Sequence, residues 1–275
     1  MKKIMAVLFA CAVTLPLLSQ GQTKVVRLTR YAGEKITGVS ASSAFRVELV
    51  RSDDTRAVVE IDERLEDRLA FSLSGGVVKV GLTGRSRERY RKPPVMKLTV
   101  YLPTLTLLKA SGATDIYGKG LFTADNTVVT LSGASDLKEL ELHTGTLTLG
   151  CSGASDADLT VKAGTIKCTA SGASDVDLKA DGGFAEINAS GASDTDLTGT
   201  LSEAKFTASG ASEIDAYGCE IKKVTANASG ASGVKCWVTE SLDATASSAS
   251  SVKYRGNPTV FNKKSSGGSS VKKAD

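Results

Sequence analysis

Ser152-Gly153-Ala154-Ser155-Asp156 decides the fold of this chain, because close copies of it recur along more than half of the sequence. Full copies begin at Ser111, Ser132, Ser152, Ser171, Ser190, Ser209 and Ser229, and degenerate copies begin at Ser247 and Ser265. The steps between successive copies are 21, 20, 19, 19, 19, 20, 18 and 18 residues. A fixed period near 20 residues is the sequence signature of a solenoid, in which each repeat forms one coil.

The residues that flank each copy alternate between apolar and polar types. Residues 166–170 read Ile-Lys-Cys-Thr-Ala before the copy at Ser171, and residues 175–178 read Asp-Val-Asp-Leu after it. Alternation with a period of two is typical of a half-buried β-strand and not of a helix. The glycine between the two runs permits a sharp corner in the backbone.

These patterns predict an all-β fold, a parallel β-solenoid with one coil of 19–20 residues per repeat. Equivalent strands of successive coils then stack about 4.8 Å apart. The usual rule for parallel crossovers predicts a right-handed coil. A leucine-rich repeat is the alternative at this period, but it needs several leucines and an asparagine in each repeat, and this motif has neither.

Composition divides the chain into three segments. Residues 1–21 are predicted to be a cleaved signal peptide, since a basic start precedes an apolar run that is short for a membrane span. Residues 22–110 contain separate β runs, with a hairpin signal at Ser74-Gly75-Gly76, and are expected to form a β-rich cap and the first coils. Residues 111–270 are expected to form the repeat solenoid, continuous with the cap as one domain.

Charge excludes some functions and leaves others open. The 34 basic and 30 acidic side chains give a net charge of +4, which excludes a nucleic-acid binder that relies on bulk charge. The charge is uneven, at +7 over residues 22–110, −11 over residues 111–220 and +6 over residues 221–275. His143 is the only histidine, so a histidine-rich metal site is excluded, and we expect no cofactor.

Several motifs together resemble one family of exported bacterial proteins. They are the recurring Ser-Gly-Ala-Ser-Asp, Tyr101-Leu102-Pro103-Thr104-Leu105 and Ile187-Asn188-Ala189-Ser190-Gly191. The family is the autotransporter-adhesin head domain, or head GIN domain, which is common in Bacteroidetes. The resemblance covers roughly residues 38–255 and implies a β-helical fold and an adhesive role, with no catalytic residue to carry over. The last two copies depart from the motif, because Ser251 and then a glycine or serine replace the aspartate.

The last residue of the motif is acidic in six successive copies. This column comprises Asp115, Asp136, Asp156, Asp175, Asp194 and Glu213. Side chains of this kind accept backbone N–H bonds in tight turns, so we interpret the column as a structural turn ladder. Calcium is the alternative, since it binds several carboxylate oxygens, but the calcium-binding nonapeptide pattern is absent and no metal site is predicted.

Four cysteines follow the leader, at Cys151, Cys168, Cys219 and Cys236. An even count in an exported protein suggests disulfides. Cys151 and Cys168, however, occupy diagonal positions on adjacent coils, roughly 8 Å apart at Cα, which is beyond easy bridging. We therefore expect these two to be buried free thiols, whereas the state of Cys219 and Cys236 is open.

A basic cluster reads Arg-Ser-Arg-Glu-Arg-Tyr-Arg-Lys over residues 85–92. The arginine guanidinium forms paired hydrogen bonds with sulfate, phosphate or carboxylate groups. The expected partner is therefore a glycan or an envelope or host-surface protein. The candidate ligand-binding residues are Arg85, Arg87, Arg89, Tyr90 and Arg91. A solvated loop is the alternative, since runs of charge usually face water.

Three classes of function are compatible with this sequence: an exported adhesin-like binding module, a structural spacer of the envelope, and a carbohydrate-active β-helix enzyme. Paired carboxylates such as Asp156 with Asp158, and Asp175 with Asp177, suit glycoside hydrolysis. Enzymes of this kind build a cleft from long loops, and these uniform coils leave little room for one. The sequence favours a non-catalytic binding module at the cell surface, in the periplasm or secreted, with its oligomeric state open and no transmembrane segment in the mature chain.

Overall fold

The protein is described by a computed structural model that covers residues 24–84 and 92–274. Strands make up 69% of the described residues and helix 2%, and the stacked coils form a β-solenoid of about 9 turns. The predicted all-β solenoid is therefore confirmed.

The strands of the described residues belong to one sheet that winds along the rod. In chain order they are β1 (Val25–Arg30), β2 (Gly38–Ala41), β3 (Arg46–Arg51), β4 (Arg56–Asp62), β5 (Leu69–Ser74), β6 (Val77–Leu82), β7 (Met96–Leu102), β8 (Leu107–Ala110), β9 (Asp115–Lys119), β10 (Leu121–Leu131), β11 (Asp136–Cys151), β12 (Asp156–Ala170), β13 (Asp175–Ala189), β14 (Asp194–Ala208), β15 (Glu213–Ala228), β16 (Gly233–Ala246), β17 (Ser251–Arg255), β18 (Val260–Ser265) and β19 (Ser270–Lys273). A 3-10 helix, Glu63–Arg68, connects β4 to β5.

Strand β12 shows how one coil is built. It pairs in parallel with β11 and with β13, and every second side chain is buried up to a bend at Gly164, after which alternation resumes. Residues 156–163 are the first segment of this coil and residues 165–170 are its second segment. The bend is the second corner, which is formed in successive coils by Asp125, Gly145, Gly164 and Gly183. The Ser-Gly-Ala-Ser stretch between coils is the serine corner.

The hydrophobic core lies between the first and second segments and runs the length of the rod. Phe45, Phe122 and Phe206 are its largest fully buried side chains. Many other inward positions are alanine, such as Ala170 and Ala189, which keeps each coil narrow. The core therefore depends on regular stacking of small and branched side chains and not on a few large aromatic residues.

The coils of the N-terminal region are not stacked in chain order. Strand β2 pairs in parallel with both β6 and β8, and β3 pairs in parallel with both β7 and β9. The β2–β3 coil therefore lies between two coils that follow it in sequence. Glu48 of this middle coil bonds Lys97 on one side, with 3.0 Å between Oε1 and Nζ, and Lys119 on the other, with 3.2 Å between Oε2 and Nζ.

Antiparallel strands close the N-terminal end of the rod. Strand β4 pairs with β7 and with β1, and β5 pairs with β6. The β5–β6 hairpin turns at Gly75 and Gly76, which have φ of 60° and 77°, so the hairpin predicted at this point is confirmed. These strands satisfy backbone groups that an open solenoid end would leave unpaired.

The last serine corner begins one residue later than the sequence analysis placed it. The amide of Ser266, not that of Ser265, donates to the carbonyl oxygen of Ala246 at 3.1 Å. Gly267, with φ of 70°, then occupies the left-handed position of the corner. Ser266-Gly267-Gly268-Ser269 keeps the glycine and the second serine of the motif in place, which agrees with the register that stacking on the preceding coil selects.

One further corner has no counterpart in the sequence analysis. Ser42-Ser43-Ala44 turns the chain between β2 and β3, with φ of 67° at Ser43 and 62° at Ala44. A Cβ added to Gly112 of the next coil would lie 3.3 Å from the Ser43 amide nitrogen, so the two corners stack. Phe45 and Arg46 stand where the motif has serine and aspartate, which hides this corner in the sequence.

Candidate functional site

The serine corner uses its repeated residues to stack coils. Gly191 has φ of 79°, and a Cβ there would lie 2.7 Å from the carbonyl oxygen of Gly172 in the preceding coil. The buried Ser193 hydroxyl accepts the Ser190 N–H at 3.2 Å. Its oxygen also lies 3.0 Å and 3.2 Å from the carbonyl oxygens of Ser190 and Ala170, one of which receives its proton. Glycine and serine recur here because the backbone requires them.

The predicted ladder residues lie in register at the start of successive first segments. They are Asp115, Asp136, Asp156, Asp175, Asp194 and Glu213. Their side chains are exposed or half-buried. Serine hydroxyls supply the corner hydrogen bonds described above, so the turn-stabilising role of these carboxylates stays a prediction.

A second charged column lies two residues further along the same segments, and its sign changes. Its register positions are Asp158, Asp177, Asp196, Asp215, Lys235, Lys253 and Lys272. We call the exposed first-segment surface from Asp156 to Lys272 the charged face. The ladder column and the second column are both acidic over the four coils that contain Asp158, Asp177, Asp196 and Asp215. The second column is basic over the next three coils.

The acidic half of the charged face repels itself. Within residues 24–84 and 92–274, Asp158, Asp177 and Asp196 form no ion pair. Burial, together with the neighbouring Asp177, Asp215 and Asp194, raises the pKa of Asp196. Because these like charges lie only one coil apart, positively charged groups that approach from solvent or from a partner reduce the repulsion between them.

Aromatic side chains lie at the boundary between the acidic and the basic part of the charged face. Lys235 bonds Asp215, with 3.0 Å between Nζ and Oδ2, and also contacts Glu213. Beside this pair, the Arg255 guanidinium lies 4.4 Å from the ring centre of Trp237 and 5.8 Å from that of Tyr217. Both aromatic side chains are half-buried, so part of each ring faces the surface.

A groove of about 1260 Å³ runs along the second corners in the N-terminal half of the rod. Its floor is a row of small residues that includes Gly145, Ala163 and Gly182. A Cβ at Gly145 would lie 2.7 Å from the carbonyl oxygen of Asp125, and one at Gly182 would lie 2.0 Å from that of Ala163. Close stacking of the backbone therefore requires small residues here, and their smallness opens the groove.

Polar side chains line the groove. One wall is the register column Thr123, His143, Lys162 and Asp181, with one residue from each of four coils. Lys35 lies at the N-terminal end, where the connections into β2 and β8 meet. The groove reaches from the β8 coil to the β13 coil, which is about 20 Å at 4.8 Å per coil.

This groove differs from the expectation that uniform coils leave little room for a cleft. No long loop forms it. The sequence does contain a signal for it, since Gly145, Gly164 and Gly183 recur every 19 residues outside the main motif. Hydroxyl, ammonium, imidazole and carboxylate groups along an open floor can bond a long, polyhydroxylated chain by many weak contacts.

The basic loop predicted as the ligand site lies outside the described residues. Arg85, Arg87, Arg89, Tyr90 and Arg91 all fall between Gly84 and Lys92. Strand β6 precedes these residues and β7 follows them. Their role as a ligand site stays a prediction.

Cys151, Cys168, Cys219 and Cys236 are buried and free. This confirms the expectation for Cys151 and Cys168 and decides the question that the sequence left open for Cys219 and Cys236. Burial raises the pKa of Cys151, Cys219 and Cys236 to about 12, and it also raises the pKa of Cys168. Thiols held in this form are unreactive and act as small apolar side chains.

The described part of the chain has neither a cluster of metal-ligating side chains nor a membrane-spanning helix. No group of three or more His, Cys, Asp or Glu side chains there is arranged to hold a metal ion. No helix in that part is long and apolar enough to cross a membrane.

The stacked coils, the serine corners and the antiparallel cap define the fold class as a parallel β-solenoid closed by an antiparallel end. A family model described as "Putative auto-transporter adhesin, head GIN domain" matches residues 35–179 and 156–258. The chain belongs to this family.

Solved structures from Bacteroidetes share the fold. A "putative lipid binding protein" from Parabacteroides distasonis ATCC 8503 has a TM-score of 0.67 at 20% identity, with 93% of this chain and 98% of that chain covered. A "putative adhesin" from Parabacteroides merdae ATCC 43184 has a TM-score of 0.67 at 19% identity, with the same coverage. A "putative adhesin" from P. distasonis has a TM-score of 0.70 at 14% identity, covering 92% and 98%. At these identities the likeness concerns the fold alone, and a search of curated proteins finds no match.

Proposed function

We propose that the chain is an exported, non-catalytic binding module that holds an extended glycan in the groove along its second corners. It acts at the outer-membrane surface, in the periplasm or after secretion. Family membership supports the adhesin-like role. The observation that carries the proposal is the groove itself, which is polar, open and about 20 Å long.

The groove suits a saccharide chain better than a compact ligand. Its wall presents Thr123, His143, Lys162 and Asp181 one coil apart, so donors and acceptors repeat about every 4.8 Å. Lys35 and Lys162 can bond carboxylate or sulfate groups of a glycan, and Asp125 and Asp181, which also line the groove, can accept hydrogen bonds from its hydroxyl groups.

A binding role is favoured over catalysis by the regularity of the carboxylates. The pair Asp175 and Asp177 recurs as Asp156 with Asp158 and as Asp194 with Asp196, in the same register. A catalytic pair would stand apart from its neighbours in burial or in surrounding loops. These pairs lie on the charged face and not in the groove.

A glycan array tests the proposal with the chain of residues 22–275. We expect selective binding to an acidic glycan. His143→Ala combined with Lys162→Ala should reduce the signal at least tenfold while the melting temperature stays unchanged. Arg87→Ala combined with Arg89→Ala is the matched variant for the basic loop, and it should leave binding unchanged.

Three outcomes would contradict the proposal. A blank array from well-folded protein would favour the spacer role. Loss of binding only in the Arg87 and Arg89 variant would move the site to the basic loop. Breakdown of any polysaccharide, abolished by Asp175→Asn, would make the chain an enzyme.

A further inference from the structure

The charged face carries two complementary halves in one column. Asp177, Asp196 and Asp215 precede Lys235, Lys253 and Lys272, with one residue on each successive coil. Neighbouring coils are about 4.8 Å apart throughout, so the acidic and basic series have the same spacing. A two-fold axis that lies parallel to the strands, between the Asp215 and Lys235 coils, exchanges the two series.

From this symmetry we infer that two copies of the chain associate antiparallel, charged face against charged face. The arrangement places Asp196 of each copy opposite Lys253 of the other, and Asp177 opposite Lys272. A parallel arrangement would place acid against acid. The inference concerns a different surface from the glycan groove and is independent of the proposed function.

The side chains of the charged face favour contact with a partner over exposure to solvent. Lys253 and Lys272 are exposed and, within the described residues, form no ion pair. Two hollows, of about 250 and 370 Å³, open between the aspartates, and both are lined by Asp158 and Asp177. Lysine ends from a second copy have both the charge and the room to enter them.

The centre of this interface has the composition of a binding hot spot. The Arg255 guanidinium lies over the ring of Trp237 and near that of Tyr217, beside the Asp215–Lys235 pair through which the two-fold axis passes. Trp237 is the only tryptophan of the chain and is half-exposed. Aromatic residues and arginine at the centre, with charges around them, are typical of protein interfaces.

The size of the face predicts a weak dimer. Six coils from Asp175 to Ser270 overlap in this arrangement, and at about five residues per coil they cover roughly 480 Å² per copy. The total of about 1,000 Å² is at the low end of specific interfaces, and much of the attraction is between exposed charges. Association should therefore weaken at least tenfold between about 50 mM and 500 mM salt.

Charge exchange provides the sharpest test, measured by sedimentation over a concentration series of residues 22–275. Asp177→Lys with Asp196→Lys should give a monomer, as should Lys253→Glu with Lys272→Glu. Mixing the two variants should restore a heterodimer, which misfolded protein cannot do. Lys79→Glu with Lys109→Glu makes a matching charge change away from the charged face and should leave the dimer intact.

Carbodiimide crosslinking locates the contact. In a mixture of isotopically labelled and unlabelled chains, crosslinks from Asp196 to Lys253 should join one copy to the other. A wild-type chain that stays monomeric in low salt overturns the inference. So does a dimer that survives both charge reversals, or a mixture of the two variants that fails to associate.

Discussion

The two corners of each coil are built from different kinds of sequence. At the serine corner the same residues return in almost every coil, and their glycines keep φ between 76° and 82° from Gly112 to Gly230. At the second corner the residues change along the rod, from Asp125 through Gly145, Gly164 and Gly183 to Ser202. The repeated corner keeps one backbone conformation through these coils, whereas the second corner accepts different residues along the rod and so gives each part of the rod a different surface.

The largest expected effect is at a serine-corner glycine. Gly172→Val should lower the free energy of unfolding by about 3 kcal/mol or more. Gly172 has φ of 79°, and its Cβ would lie 2.5 Å from the carbonyl oxygen of Gly153. The control is Gly150→Ala, which meets no atom within 4 Å and should change stability by less than about 0.5 kcal/mol. Equal denaturation midpoints for the two variants would contradict the comparison.

A smaller loss is expected at a buried serine. Ser193→Ala removes a buried hydroxyl that bonds Ser190 and the Ala170 carbonyl of the preceding coil, while the Ser190 N–H keeps its bond to Ala170, so the change should cost about 1 kcal/mol, measured by urea unfolding. Thr169→Ala, in an exposed position of the second segment, is its control and should be nearly neutral. A neutral Ser193 variant would mean that the hydroxyl is dispensable for the corner.

A still smaller effect of opposite sign is expected on the charged face. The pKa of Asp196 is raised by burial and by Asp177, Asp215 and Asp194, so just above pH 3.8 the folded chain binds more protons than the unfolded chain. This contribution to stability is present at low pH and is lost as pH rises through the folded pKa. Asp196→Asn should therefore raise Tm at neutral pH by about 1 °C, and the gain should vanish near pH 3.

Glu186 is the control for that pH dependence. Its hydrogen bond to Lys205, with 2.9 Å between Oε1 and Nζ, lowers its pKa in the folded chain. The stability it contributes is present above the unfolded pKa and is lost as pH falls through the folded pKa. Glu186→Gln should therefore lower Tm at neutral pH and leave it unchanged near pH 3. Shifts of the same sign in both variants would show that pairwise charges do not govern this surface.

The sequence is informative wherever one coil alone determines the structure. The period of the motif, the alternation around Cys168 and the burial of both Cys151 and Cys168 follow from residues within one or two coils. The hairpin at Gly75-Gly76 is local in the same way. Turn chemistry and strand periodicity act over short distances, so they can be read from the sequence directly.

The remaining features depend on which coils become neighbours. The β2–β3 coil lies between two coils that come later in the chain, so its contacts join segments that are far apart in sequence. No local pattern near Phe45 predicts this position. The groove also arises only when Gly145, Ala163 and Gly182 are stacked. Similarly, the sign change from Asp215 to Lys235 becomes a surface feature only once the register of the strands is known.

The most direct test compares thermal unfolding with glycan binding in two variants, one altered at each corner. The account predicts that Ser193→Ala lowers Tm but retains binding to the array-selected glycan at low temperature. It predicts that His143→Ala with Lys162→Ala retains Tm but loses binding. Two results would contradict this division of roles between a stabilising serine corner and a ligand-binding second corner. One is loss of binding in the serine variant while it is still folded. The other is a groove variant that unfolds at as low a temperature as the serine variant.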